Sequence, residues 1–307
     1  MQTAFISHPA CLKHDMGHGH PESSERLTAI EDRLIASGIY PFLQHHNAPA
    51  VTREQLLRVH TEAHLIRLKT ASPKEGLVAL DPDTWMNPHT LDAAYHAAGA
   101  VVLATDLVMA GAVENAFCNV RPPGHHATRT DAMGFCFFNN VAVGVAHALA
   151  KHDIDRIAIL DFDVHHGNGT EDIFKDDARV LLCSTFQHPL YPFSGARSGS
   201  PHVINVPLAA YSGGETFRAA VTHAWLPALL AFKPEFIFIS AGFDAHQEDD
   251  LASLNLVEAD FAWVTRQIKL AASSYAQKRI VSTLEGGYAL HALARSVAAH
   301  VKVLSDL

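Results

Sequence analysis

The sequence predicts an α/β protein in which a parallel β-sheet is flanked by helices on both faces. Short apolar segments alternate with longer segments of helical periodicity over most of the 307 residues. The short segments are apolar at nearly every position, as expected for strands whose two faces are both buried. No internal repeat, low-complexity segment or convincing linker interrupts this alternation. We therefore expect a single domain spanning residues 1–307.

Five segments have the composition of buried strands, and five have the spacing of helices. The predicted strands are Phe117–Val120, Arg156–Phe162, Val180–Phe186, Glu235–Ala241 and Arg279–Leu284. The predicted helices are Leu91–Gly111, Val141–Lys151, Glu215–Phe232, Val257–Gln277 and Leu290–Leu304. Alanine-rich helical spacing supports the first and last helices most strongly. In such a sheet, ligands bind in the loops that follow the carboxyl ends of the strands.

Composition narrows the classes of partner. The formal net charge is −9 and no cluster of Lys and Arg is present, so we expect no nucleic-acid-binding surface. No apolar segment approaches the roughly 20 residues that a membrane-spanning helix needs, so we expect no membrane partner. The segment Met1–Pro9 lacks the basic start and apolar stretch of a secretory signal, which predicts a cytoplasmic protein. The sequence leaves the oligomeric state open.

Histidine is the unusual residue type, with 22 copies spread along the chain. That abundance suggests a metal site only where the spacing of the residues supports one. The four cysteines form no C-x-x-C pair, and three of them lie in apolar or strand-like surroundings. We interpret all four as reduced, buried residues that fill the core.

Polar side chains follow four of the predicted strands. The four segments are Arg121-Pro-Pro-Gly-His-His126, Asp163-Val-His-His-Gly-Asn-Gly-Thr170, Gly242-Phe-Asp-Ala-His246 and Glu285-Gly-Gly-Tyr288. Because the carboxyl ends of parallel strands meet at one edge of a sheet, these loops should bring His, Asp and Tyr side chains together. This convergence predicts a functional site at that edge.

The segment Asp161-Phe-Asp-Val-His165 predicts a metal site. Residues two apart on an extended backbone point the same way, so Asp161, Asp163 and His165 share one side. Burying these groups together is unfavourable unless a cation is bound. A catalytic zinc needs about three protein ligands and an open position, and Asp244 is the natural third ligand after Asp163 and His165. A solvated turn with incidental acids is disfavoured, because apolar strands lead directly into both clusters.

Two further loops supply groups for acid–base chemistry. His125 and His126 follow a rigid Pro-Pro-Gly segment, and an imidazole with its ordinary pKa of about 6.5 suits proton transfer near neutral pH. Tyr288 follows two glycines that free the backbone, and its hydroxyl could donate to an oxyanion. Neither feature is specific alone. A second pair, His45-His46, is interpreted as loop surface, and a tyrosine after glycines is more often structural.

Taken together, these segments resemble the zinc-dependent histone deacetylase family, closest to its class II and bacterial deacetylase-like members. The resemblance also rests on His18-Gly-His-Pro-Glu22 with Arg26, on Gly134-Phe-Cys-Phe-Phe-Asn-Asn140 and on Ser240-Ala-Gly-Phe-Asp244. The matches follow the family's order over nearly the whole chain. The resemblance implies the single-domain arginase-deacetylase fold, with a parallel sheet of about eight strands.

The resemblance implies a role for each matched residue. The implied ligands of one catalytic zinc are Asp163, His165 and Asp244. His126 becomes the general base that activates water and later protonates the leaving amine, with His125 as its electrostatic partner. Tyr288 and zinc together polarise the acyl carbonyl. The expected substrate is an acylated lysine in a peptide or protein, or a small acylated amine.

Further implied roles concern the surroundings of the base. Asp161 is implied to contact His125 and to help hold a structural monovalent cation, K⁺, with backbone oxygens near Ser184 and Thr185. Asn168 occupies the position at which many relatives have Asp behind the base. It orients His126 without adding charge, so the imidazole pKa should be lower than beside a carboxylate.

The implied substrate tunnel is built from three segments. Gly134 would accept the substrate amide at its carbonyl, and the Phe135 ring would form one wall. The opposite wall falls at Tyr191, where relatives usually carry Phe, so an added hydroxyl changes the polarity of the wall. His20, in the first active-site loop, is also implied to contact the substrate.

Three alternative functions remain open. A ureohydrolase would need a second carboxylate in D-x-D order at Asp244, but the sequence reads Asp244-Ala-His246. An acetylpolyamine amidohydrolase would carry a gatekeeper Glu where this chain has Leu251, although the three preceding acids could substitute. A non-catalytic reader of acyl-lysine would be expected to lack the base or the oxyanion donor, and both are present here.

Two other features are interpreted as structural or solvated. His60 and His64 have the spacing of a zinc-protease helix, but no Glu follows His60, so we predict a structural role. Glu248, Asp249 and Asp250 are interpreted as a mostly solvated acidic rim that could favour cationic substrates.

Overall fold

The computed structural model describes residues 2–197 and 200–307 and contains an eight-stranded sheet in which all neighbouring strands are parallel. The strands are β1 (Thr3–Ser7), β2 (Gln44–Asn47), β3 (Val78–Ala79), β4 (Trp85–Met86), β5 (Asn115–Cys118), β6 (Ile157–Asp161), β7 (Val180–Gln187), β8 (Val203–Leu208), β9 (Phe236–Ala241) and β10 (Ile280–Leu284). The sheet order is β2-β1-β5-β10-β9-β6-β7-β8, and β3 pairs separately with β4. Helices flank the sheet, which confirms the predicted fold class.

The helices connect and cover these strands. They are α1 (Glu25–Ala36), α2 (Arg53–Leu57), α3 (Glu62–Ala71), α4 (Thr90–Met109), α5 (Asn140–Lys151), α6 (Asn168–Phe174), α7 (Gly214–Ala220), α8 (Leu226–Phe232), α9 (Glu258–Tyr275) and α10 (Leu290–Leu304). Several begin at residues that satisfy their first N–H groups. The Asn139 side chain, for example, caps α5 by accepting a hydrogen bond from Ala142 N.

All five predicted strands are confirmed, with ends that differ by at most two residues. The largest difference is at β5, which ends at Cys118, so Asn119 and Val120 already belong to the loop that leads to His125. Four of the five predicted helices also agree to within two residues at each end. Local periodicity was sufficient for these elements because each buries a long apolar face.

The fifth predicted helix, Glu215–Phe232, was wrong in one respect. Regular α-helical pairing is interrupted at Val221–Trp225, which forms a π-helical turn between α7 and α8. Pro227 follows this turn at the start of α8. Because proline has no backbone N–H, the helix cannot continue with regular hydrogen bonds through this residue.

Three strands of the sheet have no counterpart among the predicted segments: β1, β2 and β8. The pair His45-His46 was interpreted as loop surface, but it lies within β2 at the edge of the sheet. Its residues are only partly buried, and a polar edge strand has none of the apolar composition by which strands are recognised. Strand β8, at the other edge, contains Pro207, which is tolerated at edge positions.

Helix α4 is long and apolar enough, by length and composition alone, to cross a membrane, and the sequence analysis did not identify it as such a segment. In the structure 61% of the most apolar 18-residue stretch of this helix is buried within the protein, as in a helix of the protein core. The four cysteines are also buried and unpaired, as predicted.

The sheet order places the polar loops side by side. Strands β5, β10, β9 and β6 are consecutive neighbours in the sheet, although they are far apart in the sequence. Each of them is followed by one of the four polar segments. Because all four strands are parallel, their carboxyl ends lie at the same edge, where the candidate site is found.

Candidate active site

Asp163, His165 and Asp244 form a tight cluster at this edge. The Nδ1 atom of His165 lies 3.1 Å from Asp163 Oδ1 and 3.2 Å from Asp244 Oδ2. Both carboxylates are almost fully buried. The cluster offers one nitrogen and two oxygen donors within 4.8 Å of one another, which is the donor set of a zinc site.

The residues present fit a bound divalent cation. One N–H of His165 cannot serve both carboxylates, and Asp244 Oδ2 accepts no hydrogen bond from the residues that the structure describes. Burial and the neighbouring charge of Asp163 raise the pKa of Asp244 to about 6. The remaining oxygens are oriented by backbone N–H groups, from Gly286 to Asp163 Oδ2 at 2.8 Å and from Val164 to Asp244 Oδ1 at 2.9 Å. A cation would compensate the buried negative charge.

Gly286 has no room for a side chain at this position. An added Cβ would lie 2.0 Å from Asp244 Oδ2 and 2.7 Å from Asp163 Oδ2. The Gly-Gly segment before Tyr288 therefore allows the backbone of one strand end to approach the carboxylates of two others. The sequence had suggested only that the two glycines free the backbone. The structure shows in addition that a side chain at Gly286 would collide with the carboxylates.

His125 lies between Asp161 and the cluster of candidate metal ligands formed by Asp163, His165 and Asp244. Its Nδ1 is 3.0 Å from Asp161 Oδ2, the contact that the resemblance implied, and its Nε2 is 3.7 Å from Asp163 Oδ1. Burial disfavours a charged imidazole, but the carboxylates of Asp163 and Asp161 outweigh it and raise the pKa of His125 well above its ordinary value. The buried carboxylate of Glu285 also accepts the backbone N–H groups of Gly124 and His125, which fixes this loop.

His126 has the opposite electrostatic environment. Burial and the charges of His125 and His165 lower its pKa well below the ordinary value, so the ring is neutral near neutral pH. Its Nδ1 lies 2.7 Å from Asn168 Oδ1. Because Oδ1 can only accept, Nδ1 carries the proton and Nε2 keeps a lone pair that can accept one.

A cavity of about 210 Å³ opens above these groups. Its lining includes His125, His126, His165, Gly134, Phe135, Tyr191, Leu251 and Tyr288, together with Asp83, Pro123 and Gly286. Gly134 adopts a φ of +55°, and a Cβ at this residue would lie 2.5 Å from the His126 ring, so only glycine fits. The structure thus brings seven of the ten predicted catalytic and tunnel residues to one cavity, while Asp161, Asn168 and His20 lie outside its lining.

Aromatic rings form the walls of the cavity. The Tyr191 ring packs edge-on against His126 at 5.2 Å, and its hydroxyl has no hydrogen-bond partner among the described residues. On the other side, Phe135 packs against Tyr288 at 5.9 Å. His20 does not line the cavity, but its ring contacts Phe135 at 4.7 Å. It therefore contacts a wall residue of the cavity rather than the cavity itself.

Tyr288 is held by Arg26, a residue that the sequence analysis had placed only in a matching segment. The buried guanidinium of Arg26 lies 4.9 Å from the Tyr288 ring centroid and donates hydrogen bonds to the carbonyls of Glu285 and Gly287. Burial raises the pKa of Tyr288 well above its ordinary value, so the hydroxyl remains protonated and can donate.

The acidic segment after His246 is exposed at Glu248 and Asp250, as predicted, but the prediction was wrong for Asp249. Asp249 is buried, and its Oδ2 accepts the backbone N–H groups of Tyr288 at 2.6 Å and Ala289 at 3.1 Å. Its Oδ1 accepts the N–H of Leu251 at 3.1 Å. The carboxylate is buried because it satisfies three backbone donors that would otherwise be left unpaired.

We expect Asp249→Asn to lower kcat about tenfold, because a charge-assisted hydrogen bond of roughly 1.5–3 kcal/mol to the Tyr288 backbone is weakened. Asp250 is an exposed neighbour of Asp249, so steady-state kinetics should show that Asp250→Asn does not lower kcat comparably. In the Tyr288→Phe background, adding Asp249→Asn should lower kcat by a much smaller factor than it does in the parent. Equal effects of the two Asp substitutions would contradict the assignment.

The expected monovalent-cation residues also lie together. Asp161 of β6 pairs in register with Ser184 of β7, and Thr185 follows it in the same strand. All three residues are buried. The Ser184 hydroxyl has no hydrogen-bond partner within the described ranges. The three residues are thus buried neighbours on adjacent strands.

His60 and His64 have a structural environment, as predicted. His60 precedes α3, and its ring contacts Thr128 O at 2.8 Å and the backbone N–H of Asn139 at 3.0 Å. His64, on α3, contacts the carbonyl oxygens of Thr130 and Phe137. These contacts tie α3 to the loop that carries Gly134.

Sequence reasoning missed two groups at the site, the cavity wall residue Asp83 and the buried carboxylate of Asp249. Asp83 lies in the polar segment Asp81-Pro-Asp-Thr84, which has no strand or helix signal. No local pattern distinguishes Asp249 from its exposed neighbours Glu248 and Asp250. Only the approach of the Tyr288 backbone does so.

This arrangement can accept a proton at His126 and donate one from Tyr288 beside a cation-binding cluster in the same cavity. Such a site polarises a carbonyl and activates water together, which defines the protein as a metal-dependent hydrolase. A family model for the histone deacetylase domain matches residues 20–304. The chain belongs to the histone deacetylase family, and it is a hydrolase of acetylated amides. Membership implies dependence on zinc.

Individual relatives agree with this assignment. The chain is 37% identical to the histone deacetylase-like amidohydrolase of Pseudomonas aeruginosa, covering 94% of this chain and 82% of that protein. It is also 37% identical to the human polyamine deacetylase HDAC10, covering 92% of this chain and 44% of that protein. The crystal structure of the HDA15 HD domain matches with a TM-score of 0.93 and 34% identity, covering 100% of this chain and 90% of that one.

Proposed function

We propose that this deacetylase hydrolyses the amide of an acylated lysine side chain. The observation that carries the proposal is the cavity of about 210 Å³, which joins the surface to His126, Tyr288 and the metal cluster. Its aromatic walls, Phe135 and Tyr191, suit an extended aliphatic chain.

The chain's own residues supply the proton transfers. His126 accepts a proton from the attacking water at Nε2, because its Nδ1 proton is fixed by Asn168. The same ring then donates this proton to the leaving amine. Tyr288 donates a hydrogen bond to the acyl oxygen as negative charge develops there.

His125 and Asp161 set the electrostatics behind the base. With its raised pKa, His125 carries positive charge that lowers the pKa of His126 and keeps that ring neutral. Asp161 contacts His125 at 3.0 Å and stabilises this charge. Together, His125 and Asp161 keep the His125 ring charged and the His126 ring neutral.

The proposed metal content is one catalytic zinc, held by Asp163, His165 and Asp244. When bound, zinc supplies Lewis acidity toward the acyl carbonyl and the attacking water. We further propose a structural K⁺ near Asp161, Ser184 and Thr185. The unpartnered Ser184 hydroxyl supports this proposal, because hard monovalent cations take oxygen ligands.

The alternative substrate is an acetylated polyamine, and Asp83 in the cavity wall is the observation that favours it. A carboxylate at this position could receive a second ammonium group. The acids before Leu251 give the alternative less support than their sequence suggested. Glu248 is paired with Arg295, and Asp249 is occupied by backbone donors, which leaves Asp250.

The other two alternatives have less support. A ureohydrolase is disfavoured because the chain belongs to the histone deacetylase family. A non-catalytic reader is disfavoured because the base and the oxyanion donor line the same cavity as the metal cluster.

The proposed function is tested by measuring hydrolysis of an acetyl-lysine peptide, longer acyl-lysine peptides and acetylspermidine, each with and without a chelator. We expect chelator-sensitive hydrolysis with the highest kcat/KM on an acyl-lysine peptide. A strong preference for acetylspermidine would establish the polyamine alternative instead.

We expect Leu251→Glu to raise the rate on acetylspermidine relative to the acetyl-lysine peptide. Leu251 lines the cavity and is 37% exposed, so a carboxylate there would meet a second ammonium without being buried. The measurement is the ratio of kcat/KM for the two substrates, with Leu251→Gln as the uncharged control. An unchanged ratio would show that this position does not select the substrate.

We expect Asn168→Asp to raise the pKa of His126, because a carboxylate stabilises the imidazolium by about one pKa unit or more. The base must be neutral to accept a proton, so activity falls below its pKa. The acidic limb of the kcat/KM profile should therefore move to higher pH. A profile that superimposes on that of the parent would show that Asn168 does not control the base.

A further inference from the structure

A second cluster of possible metal ligands lies outside the active site, where α4 packs against the end of α5. Asp106 belongs to α4, His147 belongs to α5, and His152 directly follows α5. The Nε2 atoms of His147 and His152 lie 2.8 Å and 2.9 Å from the same atom, Asp106 Oδ1. The three ligand atoms all lie within 4.8 Å of one another.

These donors match a transition metal rather than a hard cation. Two imidazole nitrogens and one carboxylate oxygen suit zinc, copper or nickel, whereas Ca²⁺ and Mg²⁺ prefer oxygen alone. With bonds of about 2.0–2.1 Å, tetrahedral donor atoms lie roughly 3.3 Å apart. The observed N···O distances are shorter by about half an ångström, so small side-chain rotations would admit a metal ion.

The cluster is accessible to solvent but held by rigid elements. The His147 side chain is 6% exposed, that of His152 is 23% exposed, and that of Asp106 is 50% exposed. A metal ion can therefore enter from solvent on the Asp106 side. The backbone positions are fixed by the two packed helices, so little ordering is required on binding.

Arg58 competes with metal binding because it holds the ring of His147, and this competition lowers the affinity of the cluster for a metal ion. Its Nη1 lies 3.2 Å from His147 Nδ1. A guanidinium can only donate, so Nδ1 accepts and the His147 proton is on Nε2, where it points at Asp106. Coordination through Nε2 requires the proton to move to Nδ1, which then faces a donor. Arg58 must turn away, although it can keep its contact with Glu54 at 2.7 Å.

We propose that Asp106, His147 and His152 form a second site for a divalent transition metal, which cross-links α4 and α5. The site has a lower affinity than the catalytic one, because only one of its ligands is a carboxylate and Arg58 competes with the metal. Binding replaces the two hydrogen bonds to Asp106 Oδ1. In each histidine the ring proton moves from Nε2 to Nδ1, so both rings coordinate as neutral imidazoles through Nε2.

The test is isothermal titration of the zinc-loaded protein with ZnCl₂, followed by the same titration with CaCl₂. We expect one further equivalent of Zn²⁺ to bind and no Ca²⁺. His152→Ala and Asp106→Asn should each lose this equivalent and keep the active-site zinc and activity. Arg58→Met should bind the second equivalent more tightly than the parent. An exposed histidine outside the cluster, tested as His223→Ala, should leave the titration unchanged.

A second measurement separates the site from general surface binding. Added Zn²⁺ should raise the Tm of the parent, because a ligand that binds only the folded state stabilises it. The same addition should not raise the Tm of His152→Ala. Zinc binding that survives both His152→Ala and Asp106→Asn, or the absence of a second equivalent in the parent, would overturn the proposal.

Discussion

Replacement of Asp163 or Asp244 by Ala should abolish both hydrolysis and the binding of zinc at the catalytic site. Each substitution removes a buried, charged ligand and leaves two protein donors where a catalytic zinc needs about three. The fold should survive, because the pKa of Asp244 is raised by burial and by Asp163, so removing one carboxylate relieves repulsion. Metal content is measured by elemental analysis after dialysis, and activity is measured on an acetyl-lysine peptide.

Two controls make this result specific. Asp250→Asn removes an exposed acid from the same loop as Asp244 and should retain zinc and activity. Circular dichroism of the Ala variants should match that of the parent, which separates ligand loss from unfolding. Full activity in either Ala variant would show that the ligand assignment is wrong.

The second large effect concerns Tyr288, whose hydroxyl should act mainly in the transition state. Removing one donor to a developing oxyanion typically costs about 10²–10³ in turnover, or roughly 3–4 kcal/mol. Tyr288→Phe keeps the ring that packs on Phe135 and Arg26, so folding and zinc content should be unchanged. Because the loss is specific to the transition state, kcat should fall much more than KM changes.

The matched control for Tyr288→Phe is Tyr191→Phe. Tyr191 lines the same cavity, and its hydroxyl has no hydrogen-bond partner among the described residues, so the control removes a hydroxyl from the opposite wall without breaking a hydrogen bond within the protein. We expect Tyr191→Phe to change turnover by no more than a few-fold. If Tyr288→Phe also stayed within a few-fold of the parent, the hydroxyl would have no role in stabilising the oxyanion.

Much of the fold and of the site could be predicted from the sequence, because the relevant signals are local. Strands such as β6 and β9 are apolar along their whole length, and alanine-rich α10 shows its helical period directly. The D-x-D-x-H spacing indicated three side chains of the site, although the strand ends at Asp161 and residues 163–165 form a bend rather than the extended chain that was expected. The prediction failed where the signal is weak, as in the polar edge strand β2 and the π-helical turn before Pro227.

Tertiary structure decided which of these local features meet. The sequence by itself determined the buried strands and the polar loops that follow them, because apolar periodicity and motif spacing are properties of neighbouring residues. Only the sheet order, in which β5, β10, β9 and β6 are adjacent, brings His126, Tyr288 and His165 to one cavity and places Asp163 and Asp244 beside His165. In the same way, Asp249 differs from Asp250 only because the Tyr288 backbone approaches it, and the cost of leaving those N–H groups unpaired buries one acid and leaves the other in solvent.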